Sequence, residues 1–293
     1  MRKKVRPTPF PEKNGDVPIN ASGVAQVGSR RFVVIDNKDP AALFEMTFDA
    51  DAVAVERIHR RRLAGVDKTV LGDPEGLTRV DLNGETFLIV ASSLCVGDAG
   101  RRVNDGLVRV RYLPDGDLAA EAMDGFRAWL LAHEPTLAAS GLREPDAGGL
   151  NIEGLAWVPR PSALVFGLRG PADPGRITMV QVPVNVGGAR WTTASLGQSA
   201  VLSARIPRSA ATQGIRDISY DTRTGDFLLL LGRSTSQGDE PFQLCTWTRG
   251  NDSVQLLDVT FHKTAKPEGI TTFSIDGKQR MLVVDDTGGY AVL

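Results

Sequence analysis

The sequence predicts an all-β protein of the propeller type, with about five hairpin units set around one axis. Three observations carry this expectation. One hairpin pattern occurs five times, each copy holds a turn signal between its two strands, and the copies start 53, 78, 64 and 51 residues apart. Propeller repeats usually run roughly 40 to 50 residues, so the two long offsets require insertions.

The copies are "SGVAQVGSRRFVVIDN" from Ser22, "EGLTRVDLNGETFLIVASS" from Glu75, "EGLAWVPRPSALVFGLRG" from Glu153, "DISYDTRTGDFLLLLGRS" from Asp217 and "EGITTFSIDGKQRMLVVDDTGG" from Glu268. Their turn signals are Gly28-Ser29, Asn83-Gly84, Pro159 to Pro161, Thr224-Gly225 and Asp276-Gly277. Asn-Gly and Asp-Gly between apolar runs are strong hairpin signals, because both central residues must accept positive φ. Runs such as "FLLLLG" and "MLVVDD" read as strands covered on both faces, and the alternation in "VRVRYL" reads as a half-buried outer strand.

The insertion in the 78-residue interval is expected to be a helix within about residues 117–140, with Met123, Phe126 and Leu130 at helical spacing and Pro135 ending it. Packed on a blade face, it adds to the core; at the channel mouth it forms a cover. After the last hairpin the chain supplies only about three strands, so "KVRPTPF" near the start is expected to add a fourth and close the ring. A sixth, degenerate blade over Leu196 to Pro207 is the alternative to five.

Hydrophobic content of 42% suffices for a full core, and a net charge of −1 gives no footprint for nucleic acid. No apolar run is long enough for a membrane span and no apolar stretch follows the basic residues at the start, which places the chain by default in the cytoplasm. Cys95 and Cys245 lie in or beside apolar runs without ligand spacing and read as buried hydrophobes. "RIHRRRLAG" from Arg57 reads as a solvated edge. The three histidines are dispersed, and Ser92 and Ser93 lack a nucleophile elbow.

Segments such as "LNIEGLAW", "GIRDISYDTRTGDFLLL" and "KPEGI" with "MLVVDD" resemble the bacterial family called domain of unknown function 3616 over most of the chain. More distantly, "EGLAW" is similar to the metal-binding Glu-Gly segment of gluconolactonase-type and phytase-like esterase propellers. These resemblances imply a propeller with a site on its axis, usually metal-dependent.

Aligning the five copies puts Ser22, Glu75, Glu153, Asp217 and Glu268 in one ring at the start of the innermost strands. Four clustered carboxylates raise one another's pKa, and a hard cation relieves that. The ring is therefore expected to hold Ca²⁺, with Mg²⁺ or Mn²⁺ as alternatives and zinc disfavoured for want of His or thiolate. Two competing expectations are neutralisation by Arg216, Arg169 or Arg233, and carboxylates that accept backbone N–H groups of the neighbouring blade.

The ends of the second strands should rim the same mouth. There Arg169, Arg233 and Lys38 are candidates to bind a small anionic ligand, and Asp285 or Asp36 to activate water. The function these residues suggest is metal-dependent hydrolysis of a phosphoester or of an ester or lactone. The alternative is a non-catalytic binding propeller with a structural cation or none.

Overall fold

Positive φ at Asn83 and Gly84, at Asp276 and Gly277, and at Gly225 lets the chain reverse sharply between apolar runs at three of the turn signals. The computed structural model describes residues 3–11, 17–66, 69–97, 100, 102–207, 209 and 211–293. Its strands form sheets of one design. The first unit comprises Ala21–Gln26, Arg31–Asp36, Ala42–Phe48 and Val55–Ala64, and the second Pro74–Leu82, Glu85–Ser92, Leu107–Arg111 and Leu118–Ala122. The third comprises Asn151–Pro159, Ser162–Gly170, Arg176–Pro183 and Ala200–Arg205, and the fourth Gln213–Asp221, Asp226–Arg233, Gln243–Thr248 and Gln255–Leu256. In the last sheet Pro267–Ile275, Lys278–Asp285 and Gly289–Val292 are joined by Thr8–Pro9, so the N-terminal segment does supply the missing strand.

Each unit's first strand packs against the first strand of the next, and that of the last sheet returns to that of the first. A propeller-type ring of inner strands follows. The outer strands of the first two units also pair in parallel, Leu63 with Leu118 and Ala64 with Ala119, which joins those units into one eight-stranded sheet and covers two edges.

The core lies between sheets. Phe32, Phe44, Phe48 and Phe273 fill the layer between the last and first sheets, with Phe32 edge-on to both Phe48 and Phe273. Ile215, Phe227 and Trp247 face Val165 and Met179 between the third and fourth. Between the fourth and last sheets the layer is thinner: Leu228, Leu230, Leu244, Ile270 and Val283 are buried, while Leu257, Val259, Phe261, Met281 and Leu293 are partly covered.

Two elements differ from the sequence expectation. "VRVRY" is not an outer strand but lies inside its sheet, because Arg109 is buried, donates to the carbonyls of Val186 and Gly188, and packs over Phe87 and Trp191. The outer strand is Leu118–Ala122, so the helix begins only at Phe126, after Gly125 at φ 72°, and runs to His133. Phe126 and Leu130 are buried between the second and third sheets, which makes the helix part of the core. Ala200–Arg205 pairs with Arg176–Pro183 as the fourth strand of the third sheet.

Four glycines set how closely the inner strands approach. A Cβ on Gly23 would come within 2.8 Å of Leu77 N, on Gly76 within 2.8 Å of Leu155 Cβ, on Gly154 within 2.8 Å of Ile218 N, and on Gly269 within 1.9 Å of Ser22 O. Each contact is with the next strand around the ring. Gly269→Ala is therefore expected to destabilise the fold by about 1–3 kcal/mol, the usual cost of forcing extra volume into a packed site. Urea unfolding checks this; an unchanged midpoint would show that the ring yields freely.

Candidate functional site: a charged axial pocket

In every inner strand the ladder slips at the same place. The slip falls across Ala21/Val24, Pro74/Gly76, Ile152/Gly154, Ile215/Asp217 and Pro267/Gly269. Such bulges re-aim side chains, and here they release Ser22, Glu75, Glu153, Arg216 and Glu268 from the ladder. All five line one pocket of about 940 Å³ at the axis.

The fourth member corrects the expected ring. Asp217 pairs with Leu230 in the ladder and stands where the other strands have Gly76, Gly154 and Gly269. Its carboxylate faces the ring wall, accepting from Ile218 N at 2.8 Å and from Ile270 N of the next strand at 2.6 Å. Burial raises its pKa well above the usual range, against the pull of these backbone donors. The ring thus holds three carboxylates and one guanidinium.

Arg216 is the hub. Its Nε donates to Glu268 Oε2 at 2.8 Å and lies 2.9 Å from Glu153 Oε2, and its Nη2 pairs with Glu268 Oε1. Arg169 Nη1 donates to Glu153 Oε1 at 2.7 Å. Glu153 therefore holds two guanidiniums side by side, one at each oxygen. Burial alone would lower the pKa of Arg216, but Glu153 and Glu268 overcome it and raise the value. Two donors stay open: Arg216 Nη1 and Arg169 Nε are buried without a hydrogen-bond partner.

Glu75 has no such cation. Asn37 Nδ2 donates to its Oε1 at 3.2 Å, and Ser22 also bonds its carboxyl. Burial first, then Asp73, Glu153 and Glu268, push its pKa well above the usual range. Burial also pushes Glu268 up to about 7, against the opposing pull of Arg216. The floor thus carries a carboxyl that favours its proton beside two charge-paired carboxylates.

The rim is built from the ends of second strands and the loops that follow. Arg169 and Arg233 line the pocket, as do Asn37 and Asp286. Asp36 and Asp285, expected to activate water, stand outside the lining and serve as loop acceptors. Asp36 takes the N–H groups of Ile19 and Lys38, each at 2.7 Å. Asp285 takes those of Lys266 at 2.6 Å and Thr287 at 3.0 Å, with the Thr287 hydroxyl. Lys38 is exposed outside the pocket. Among the described residues, no group of three or more His, Cys, Asp or Glu side chains is placed to hold a metal ion.

One side of the pocket escaped the sequence reading. Phe242, Leu244, Leu256, Leu257, Val259 and Phe261 form an apolar wall. The only sequence signal for it was the run of apolar residues flanking "FQLCTWT", which reads equally well as ordinary strand.

A ring of inner strands with a polar pocket at its axis defines the class, a propeller-type all-β protein. The model of the family described as protein of unknown function (DUF3616) matches residues 130–291, more than half of the chain, and the chain belongs to that family. The match includes Glu153, Arg216 and Glu268 but begins after Ser22 and Glu75.

Among solved structures, the Cellvibrio cellulosa alpha-L-arabinanase complexed with arabinohexaose is similar at 12% identity and a TM-score of 0.48, over 94% of this chain and 91% of that one. The endo-arabinanase from Bacillus licheniformis follows at 12% identity and 0.42, over 97% and 95%. A putative 6-phosphogluconolactonase from Bacteroides uniformis stands at 14% and 0.34, over 93% and 66%. No curated protein matches.

Two outcomes follow from the ring. Arg216→Leu leaves Glu153 and Glu268 without their shared cation and is expected to cost about 3–5 kcal/mol, the usual result of breaking a buried pair from one side. Adding Glu268→Gln should recover part of that loss in chemical denaturation; strict additivity of the two changes would disprove the coupling.

The second concerns pH. A raised carboxyl pKa means the folded state binds its proton more tightly than the unfolded state. The stability this contributes is complete below about pH 4.5, the ordinary value. It is lost as pH rises through about 7 for Glu268, and further as Glu75 ionises. The melting temperature of Glu75→Gln should therefore gain on the wild type as pH rises above about 5. Parallel curves would overturn the assignment.

Proposed function

We propose that the chain is a five-bladed propeller whose axial pocket binds a small organic anion, with the central charge balanced by Arg216 in place of a metal ion. The five-blade reading is supported by the five inner strands that close on one another and by the place of Ala200–Arg205 within the third sheet. The binding reading is carried by one observation. Two guanidiniums, that of Arg216 buried and that of Arg169 partly buried, flank one carboxylate and keep open donors, Arg169 Nε and Arg216 Nη1, in the lining of a pocket of about 940 Å³.

A buried N–H without a partner costs free energy, and an oxyanion that accepts from it recovers that cost with charge assistance. Of the two functions the sequence suggested, this favours binding. A Ca²⁺, Mg²⁺ or Mn²⁺ ion serving hydrolysis of a phosphoester or lactone needs free carboxylate oxygens; both of Glu268 and Oε1 of Glu153 accept from arginine, and Glu153 Oε2, which makes no hydrogen bond, lies 2.9 Å from Arg216 Nε. As arranged, the donor set does not fit a divalent ion.

The test pairs the ion with the ligand. In calorimetry on chelator-treated protein, CaCl₂ is expected to give no saturable heat with the wild type, whereas Arg216→Met, which removes the cation shared by Glu153 and Glu268 beside Glu75, is expected to acquire calcium binding. A thermal-shift screen of small carboxylates and phosphates should find stabilising compounds whose effect disappears in Arg169→Met. Tight calcium binding by the wild type that is lost in Glu153→Gln would restore the metal site and reject this reading.

A further inference from the structure

The pocket has two chemically distinct ends, and together they specify its occupant. The charged end is the Arg169 and Arg216 pair. The other end runs outward between the fourth and last sheets, where the apolar layer is thin and Leu257, Val259 and Phe261 are only partly covered. Phe242 and Phe261 meet edge to face there, their ring centroids 6.4 Å apart. Leu256, at 44% exposure, stands at the outer edge of the same wall.

The two ends touch. A Cβ on Gly232 would come within 2.8 Å of Phe242 Cε1 and 2.9 Å of Arg216 Cγ, so the aromatic wall begins beside the aliphatic stem of the ring guanidinium. Charged heads and apolar walls in contact favour a ligand that is ionic at one end and hydrocarbon along its body.

We propose that the pocket binds an amphipathic monocarboxylate, its carboxylate accepting from Arg169 Nε and Arg216 Nη1 and its hydrocarbon body lying against Phe242, Leu257, Val259 and Phe261. This rests on the axial pocket being a ligand site. A carboxylate suits the head better than a phosphate for two reasons. Its two oxygens match one open donor on each of two side-by-side guanidiniums. It also brings a single negative charge to a floor where Glu153 and Glu268 already offset the two arginines, whereas a dianion would set a second charge against those carboxylates.

The wall residues are held for this by their own chain. Val259–Phe261 pairs in parallel with Lys3–Val5, and His262 N donates to Val5 O at 2.8 Å, which ties the crossing segment from the fourth to the last sheet. The arm is thereby a built surface of the ring, with the N-terminal strand as its outer brace.

The experiment is a chain-length series by calorimetry on the full chain, using acetate, butanoate, hexanoate and octanoate, with 1-octanol and inorganic phosphate beside them. Affinity is expected to rise about fourfold for each methylene buried in the arm. Octanol should bind far more weakly than octanoate, Arg169→Met should abolish octanoate binding, and Phe261→Asp should flatten the series without removing acetate. The series itself needs no variant to fold.

Affinity independent of chain length, or phosphate binding as tightly as octanoate, overturns the amphipathic ligand and leaves an axial anion site in place. Octanoate binding untouched by Arg169→Met puts the molecule elsewhere and overturns the proposal. Failure of all these probes, phosphate and acetate included, overturns the axial ligand site as well.

Discussion

Close approach of the inner strands is the constraint on which the rest of this structure depends. Where Gly23, Gly76, Gly154 and Gly269 stand, the neighbouring inner strand, by its backbone or its Cβ atoms, lies in the space a side chain would take. The residue before each of the last three is thrown out of the ladder by a bulge and aimed at the axis. One local device therefore does two jobs, closing the ring and filling its centre with polar groups. In the fourth strand the device is varied: Asp217 replaces the glycine and reaches the next strand with a hydrogen bond to Ile270 N.

That variation determines the electrostatics. Three carboxylates released into a narrow buried centre would otherwise raise one another's pKa, and the fourth bulge supplies Arg216 among them. Glu153 and Glu268 share its guanidinium, with Arg169 as a second partner for Glu153. Glu75 lies beyond this network, held by Asn37 and Ser22, and burial drives it toward its neutral form. The arrangement is lopsided: ion pairs on the side of the third to fifth repeats, and on the side of the first two a carboxyl without a cation whose pKa burial raises.

Much of this was legible in the sequence. The Glu-Gly-aliphatic openings and the Asn-Gly and Asp-Gly turns are local, and local chemistry survives without knowledge of tertiary packing. In the fourth repeat "DISYD" offers an acid one residue after the ring position, and that acid draws the alignment onto Asp217. The aliphatic position decides the matter: Ile218 corresponds to Leu77, Leu155 and Ile270, which puts Arg216 in the ring and Asp217 in the glycine place. Elements set by long-range contacts were harder. "LAAEA" has helical composition, yet pairing with Leu107–Arg111 makes it a strand, and no local signal reveals that Arg109 will be covered by a loop some 80 residues away. The roles of Asp36 and Asp285 turned on loop geometry, since a carboxylate one residue before the lining position caps the turn while Asn37 or Asp286 faces the pocket.

The pocket's asymmetry follows from the same ring. Large aromatic side chains pack the layers between the last and first, the second and third, and the third and fourth sheets, and between the second and third a helix is added; the layer between the first and second is built of buried aliphatics. Between the fourth and last sheets the inner positions are Leu228, Leu230, Ile270 and Val283, all of medium size, and the crossing segment with Phe261 stands away from them. Gly232 keeps that layer open beside Arg216, because any side chain there would collide with Phe242. A charged centre alone would bind ions without regard to their bodies. Joined to an apolar gap by a glycine, the proposed anion site would select for what is attached to the ion as well, and on that reading Gly232 stands beside the arginines among the residues that set the selectivity.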